Sequence, residues 1–270
     1  MSLLAAAGCR GHVEGRVARI FEWEREPTAS HVERIREALS DAEAPVRAGA
    51  LAALVRLGTP DAGERSLAAL RDPAGSVRIT AVECLLDLED TRAVPDLLRV
   101  AAEDTDWHVR RGAVATAGSL VKDASAAESL VKALGDGSAQ VRLAAIEAVS
   151  RHGAAGALEA LSRLAREETS WENRAAAVVA LGRTGLPEAY APVDSAALDA
   201  NEFVRGASAA ALRELRRAGV ERPAAAAPPA PAERPRPGSH SAPEPERPPA
   251  AGGGAPLAAR PAEAGQEGPR

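Results

Sequence analysis

The sequence predicts an all-α fold, a solenoid of about six short helical hairpins followed by a disordered tail. Three observations carry this. Ala and Leu dominate a chain in which aromatic residues are only 2%. A Val-Arg pattern recurs six times at nearly constant spacing. Residues 223–270 hold 13 of the 20 prolines and show no apolar periodicity.

Composition sets the class. Hydrophobic residues make up 46% of 270, enough for a large core. Ala and Leu favour helix, and small Ala side chains let helices approach closely. The long β-branched and aromatic runs that strands prefer are missing. The net charge is −5, with acids and bases interspersed. No basic stripe carries interleaved aromatics, so a nucleic-acid partner is not expected. No apolar run reaches bilayer length, and two cysteines make no disulfide framework.

The repeat follows from the pairs Val46-Arg47, Val77-Arg78, Val109-Arg110, Val141-Arg142 and Val204-Arg205, with Asn173-Arg174 as a variant. Successive Arg positions lie 31, 32, 32, 32 and 31 residues apart. Small or apolar residues recur three, four and seven positions after each Arg, as in Ala50, Leu51 and Leu54 or Ala145, Ile146 and Val149. Those offsets place them on one face of a helix. Asp106, Ser138, Ser170 and Asn201 stand where side-chain oxygens can cap free N–H groups of the first turn. Gly58, Gly153 and Gly185 are placed to end such helices. A shorter helix precedes each one, marked by Val32, Ile35 and Leu39, then Leu67 and Leu70, then Val94, Leu97 and Leu98. Leu130, Val131 and Leu134, then Leu158, Leu161 and Leu164, continue the series. A lone hairpin cannot cover its apolar face, so the hairpins must stack over residues 28–222.

An acid stands six residues before every Arg: Asp41 before Arg47, Asp72 before Arg78, Asp104 before Arg110, Asp136 before Arg142, Glu168 before Arg174 and Asp199 before Arg205. This pattern of acid, Val-Arg and Ala resembles the HEAT repeat, in the short bacterial form of the phycobilisome-lyase-type HEAT proteins. The resemblance covers about residues 28–217 and departs at Asn173 and Ser208, where the pattern has Val and Ala. It implies a right-handed superhelix in which acid and Arg form a ladder between neighbouring repeats. Guanidinium suits that role, because its rigid fork of donors can hold a carboxylate and nearby carbonyls. The resemblance also implies that the second helices line the concave side.

Function on this reading is non-catalytic binding of protein partners by a scaffold or adaptor. The alternative, by family analogy, is a subunit of a bilin lyase or isomerase. No catalytic set is expected: none of His12, His31, His108, His152 and His240 is followed by Glu, and no pair has metal-ligand spacing. No cofactor and no metal are expected. Cys84 fills a small-residue slot and reads as a buried, inert thiol. Positions five and nine after the Arg should face outward, among them Glu83, Asp87, Arg56, Glu147, Arg151 and Arg183. Trp107 and Trp171 share one offset, two repeats apart, and would form aromatic anchors on one rim. Glu147, Arg151, Arg183 and the two tryptophans are the candidate partner-binding residues, with Arg151 and Arg183 expected near Trp171. The plainer alternative is a solvated charged face, with the tryptophans packed on neighbouring turns.

The ends differ in kind. Residues 223–270 cannot offset their ordering entropy and should be disordered, partly polyproline II. Leu3-Leu4-Ala5-Ala6-Ala7-Gly8-Cys9 resembles the end of a bacterial lipoprotein signal, although it lacks a positive n-region and is short for one. With a start further upstream, residues 1–12 would be a signal remnant and Cys9 a lipidated N-terminus, anchoring the protein to a membrane and facing the periplasm or the outside. Otherwise the match is accidental and the protein cytoplasmic. Val13, Val17, Ile20 and Phe21 fall at helical spacing, so residues 13–27 should form a capping helix closed by Pro27.

Overall fold

The computed structural model of the chain describes residues 3–122, 129–152 and 155–222, with side chains from residue 12 onward except that of Ala155. The Pro-rich segment 223–270, Gly153 and the side chain of Cys9 lie outside the described residues. The chain is α-helical, with no strand among the described residues. No helix there is long and apolar enough to cross a membrane.

The first helix, α1 (Leu3–Arg25), starts ten residues before the expected cap. The Leu/Ala run of residues 3–7 has high helix propensity and extends the helix backward. Ile20 is buried against Ile35, Val46, Ala50 and Leu54, with Val13 and Val17 packed alongside. Phe21 departs from the expected cap face: it is 52% exposed, and Arg56 lies over its ring.

Six hairpins follow. They pair α2 (Ala29–Ala38) with α3 (Ala44–Arg56), and α4 (Ala62–Ala69) with α5 (Gly75–Asp87). Next come α6 (Val94–Glu103) with α7 (Trp107–Leu120), and the 3₁₀ helix Ser129–Gly135 with α8 (Ala139–His152). The last two pair α9 (Leu158–Glu167) with α10 (Trp171–Thr184), and α11 (Tyr190–Ser195) with α12 (Glu202–Arg217). Asp106, Ser170 and Asn201 accept hydrogen bonds from first-turn N–H groups of their helices. Ser138 instead points its hydroxyl at Gln140 Oε1, 3.4 Å away. Gly58 and Gly185 leave their helices at φ +62° and +64°, a conformation that costs glycine little.

The second helices bury the predicted face. Ala50, Leu51, Leu54, Ala81, Leu85, Ala113, Val114, Ala145, Val149, Ala177 and Leu181 have essentially no exposure. Each fully buried Leu contributes about 1.5–3 kcal/mol. The fourth hairpin opens with 3₁₀ winding that buries Leu130 and Leu134; such winding suits a short segment. The first helix of the sixth hairpin, only six residues long, buries Tyr190 and Val193.

The two departures from the repeat pattern have polar partners. Asn173 Nδ2 donates to the carbonyl of Ala139 at 2.9 Å, and Ser208 Oγ donates to that of Val193 at 2.7 Å. Both side chains are buried; Asn173 ties the fifth repeat to the fourth, and Ser208 ties the two helices of the sixth hairpin, where Val and Ala would only pack.

Two glycines set how closely second helices approach. A Cβ on Gly118 would stand 2.5 Å from Ala148 Cβ, and one on Gly182 would stand 2.6 Å from Ala211 Cβ and 2.8 Å from its Cα. Glycine is required there by contact, not by backbone conformation. Gly206, within α12, meets nothing within 4 Å. Gly182→Ala should therefore destabilise the protein by about 1–3 kcal/mol through overpacking. Gly206→Ala should stabilise it by about 0.5–1 kcal/mol through helix propensity. Chemical denaturation of the two variants checks the opposite signs.

Candidate functional site

The ladder is continuous. In each repeat but the last, the Arg fork grips the acid of the next repeat through Nε and Nη2. The distances are 2.8 and 2.7 Å for Arg47–Asp72, and 2.6 and 2.8 Å for Arg78–Asp104. They are 2.7 and 2.9 Å for Arg110–Asp136, 2.6 and 2.7 Å for Arg142–Glu168, and 2.7 and 3.0 Å for Arg174–Asp199. The third nitrogen, Nη1, donates to the backbone carbonyl of the acid in its own repeat, as in Arg110 to Asp104 at 2.9 Å. Each acid also accepts a backbone N–H of its own turn, as in Ala74 N to Asp72 at 2.8 Å.

The ends of the ladder differ. Asp41 has no preceding repeat and pairs with Arg16 of α1. Among the described residues Arg205 meets no following acid and donates to the carbonyls of Asp199 and Ala200.

The Arg142 fork holds the Glu168 carboxyl well below the usual range, at about 2, against a smaller opposing effect of burial. Asp136 is lowered in the same way by Arg110. The Cys84 thiol is buried, and burial pushes it up to about 11, which suppresses the thiolate.

The five candidate surface residues do not form one site. Trp107 and Trp171 begin α7 and α10 and are 36% and 37% exposed. Trp107 stacks on His108 at 3.6 Å, and Trp171 stacks on Phe203 of the next repeat at 5.0 Å. Arg183 stands twelve residues after Trp171 on the same helix, about 18 Å along its axis. The expected proximity of Arg151 and Arg183 to Trp171 is therefore corrected: helix rise places them at the opposite end.

Glu147, Arg151 and Arg183 do come together. With Ile146, Ser150, Ala176 and Val179 they line a groove of about 400 Å³ between α8 and α10. Val179 is 37% exposed on its floor. Arg151 Nη1 donates to Ser119 Oγ at 3.0 Å, and its Nε lies 3.4 Å from the Glu147 carbonyl. Arg183 Nη1 donates to Ser150 Oγ at 3.4 Å. Each guanidinium thus leans back on the second helix of the preceding repeat. Ser119 and Ser150 carry no signal of an outward role in the sequence, whereas Val179 stands five after Arg174, an outward offset that its apolar side chain masks. Arg56, another outward candidate, is tied to Glu24 of α1 at 2.7 Å.

Stacked hairpins of alternating short helices, clamped turn to turn by a carboxylate–guanidinium ladder, define an α-solenoid repeat protein. The HEAT repeats family profile matches residues 63–139 and 127–213, more than half of the chain, so the chain belongs to the HEAT-repeat family. The fold is similar to that of YibA of Escherichia coli, with a TM-score of 0.57 and 18% identity, covering 76% of this chain and 82% of that one. It is also similar to an engineered protein, with a TM-score of 0.51 and 18% identity, covering 69% of this chain and 97% of that one. A weaker likeness, TM-score 0.48 with 22% identity, is to the complex of CpcE and CpcF of phycocyanin lyase from Nostoc, covering 68% of this chain and 76% of that one. No curated protein matches the chain.

Two outcomes test the ladder. Removing one partner of a largely buried pair leaves a charge uncompensated, at a cost of about 3–5 kcal/mol. Arg110→Ala should therefore lower the melting temperature clearly more than Arg205→Ala, whose fork has no carboxylate. The second outcome concerns pH. Glu168 has a folded pKa below its unfolded value of 4.5, so its contribution is complete above that value and disappears as pH falls towards 2. The stability gap between wild type and Glu168→Gln should be widest near neutral pH and close between pH about 4.5 and about 2. Denaturant titrations across that range measure it.

Proposed function

We propose that this chain is a non-catalytic scaffold or adaptor that captures a protein partner on the concave face of its second helices. The observation that carries the reading is the groove between α8 and α10, where an exposed apolar floor is edged by Glu147, Arg151 and Arg183. Interfaces concentrate binding energy in a few central apolar and Arg side chains, while surrounding charges set register and on-rate. The helices that form the groove are already ordered, so binding there costs little conformational entropy. Glu83 and Asp87 on α5 extend the charged face toward the N-terminal repeats.

Val179→Asp tests the groove without touching the ladder or the buried face. Tagged wild type and variant are expressed in native cells and their captured proteins compared quantitatively. The expected outcome is at least about tenfold weaker retention of the partner by Val179→Asp, at unchanged helical content. Equal retention would move the binding surface off this groove. Purified wild-type protein that carries a visible chromophore and turns it over would place the chain among the lyase-type enzymes instead.

A further inference from the structure

We infer that the partner's contacting segment is acidic, presenting two carboxylates to Arg151 and Arg183; this rests on the groove proposed above. The ladder supplies the contrast. Arg47, Arg78, Arg110, Arg142 and Arg174 each hold a carboxylate in a two-point grip. Arg151 and Arg183 hold none among the described residues; their partners there are two Ser hydroxyls and one backbone carbonyl.

Those bonds leave donors available. Among the described residues Arg151 Nη2, which lies close to Gly118, makes no hydrogen bond, and Arg183 Nε and Nη2 make none. The serines anchor each guanidinium through one nitrogen. A fork fixed in this way is ready for two-point recognition of a carboxylate, and less side-chain entropy is lost on binding. Neighbouring packed helices lie about 8–10 Å apart, which sets the separation of the two forks. In an extended chain, residues two apart share one face and lie about 7 Å from each other, within reach of both forks through flexible side chains. An extended segment with acids at alternate positions can therefore present two carboxylates from one face to the two forks.

Glu147 opposes the same ligand. It lies one turn before Arg151 on α8, lines the groove and forms no ion pair with Arg151 among the described residues. Its carboxylate sets a repulsive limit on acidic ligands, so its removal should strengthen their binding. A role for Arg151 and Arg183 in fold stability alone would not produce that reversal.

The test uses the full chain and three fluorescein-labelled 12-residue peptides of alternating apolar and polar positions, with Glu, Gln or Lys at every polar position. A single-stranded oligonucleotide of similar length is a fourth probe. Fluorescence anisotropy should show that the Glu peptide binds wild type, at least about tenfold more tightly than the Gln peptide, with affinity falling as salt rises. Arg151→Glu/Arg183→Glu should abolish that binding, Arg151→Gln/Arg183→Gln should weaken it, and Glu147→Gln should strengthen it about two- to fivefold. The Gln pair serves as the test if the Glu pair does not fold by circular dichroism. The inference is overturned if the Glu peptide does not bind, if Glu and Gln peptides bind equally, if the Arg variants leave binding unchanged, or if only the oligonucleotide binds. Loss of the Glu-peptide result while Val179→Asp still abolishes partner capture would reject the acidic class and leave the groove standing.

Discussion

The grip of each Arg on the acid of the next repeat is the constraint on which the rest of the structure depends. One guanidinium serves two turns at once. Nε and Nη2 clamp the carboxylate of the following repeat, and Nη1 donates to the backbone of its own. The acid in turn accepts an N–H from the turn in which it sits, as Asp104 does from Asp106 at 2.9 Å. The shape of each turn and the offset between repeats are thereby set by the same bonds. Largely buried ion pairs lose most of their Coulombic gain to desolvation. The apolar face between helices supplies the stability, and the ladder supplies the register.

Given that register, packing is decided by small differences in side-chain size. Gly118 and Gly182 occupy the same place in the third and fifth repeats, eight after Arg110 and Arg174. Each faces an Ala six after the next Arg, at a distance that admits no Cβ. Other repeats carry Val55, Leu86 and Ser150 at this place. The stacking is therefore uniform in register without being uniform in closeness. At the ends, α1 covers the first repeat with Ile20 and supplies Arg16 to Asp41, which continues the ladder from outside the array. Caps of this kind are required because a repeat contacts only its neighbours.

The same logic separates structural from available charge. The arginines in the first turns of the second helices are committed to the ladder from Arg47 to Arg174, and Arg56 is committed to α1 through Glu24. Arg151 and Arg183 are held by neutral hydroxyls, which orient a guanidinium without neutralising it. Oriented Arg side chains that hold no carboxylate thus gather at the groove between α8 and α10, the surface of the proposed binding site. The stacked Trp171 and Phe203 belong to the opposite rim, where they bridge the last two repeats.

The sequence by itself determined the number of hairpins, their register, the buried face and the residues of the ladder. These are periodic properties, set by helix geometry and repeated six times, so each copy supports the others. Spacing alone left two acids within reach of each Arg but the last, one six residues before it and one 25 or 26 after. The HEAT resemblance implied the second, and only contact between repeats decides it. The early start of α1 was also legible in principle, from the Leu/Ala run at residues 3–7. Tertiary structure alone decided the exposure of Phe21, the contact need for glycine at 118 and 182, and the division of Glu147, Arg151 and Arg183 from Trp107 and Trp171. Those outcomes depend on distances between helices about 32 residues apart in sequence and on position along a helix axis. Residue type at a repeat offset records which face a side chain takes, and leaves open how near the neighbouring helix stands and at which end of it the side chain lies.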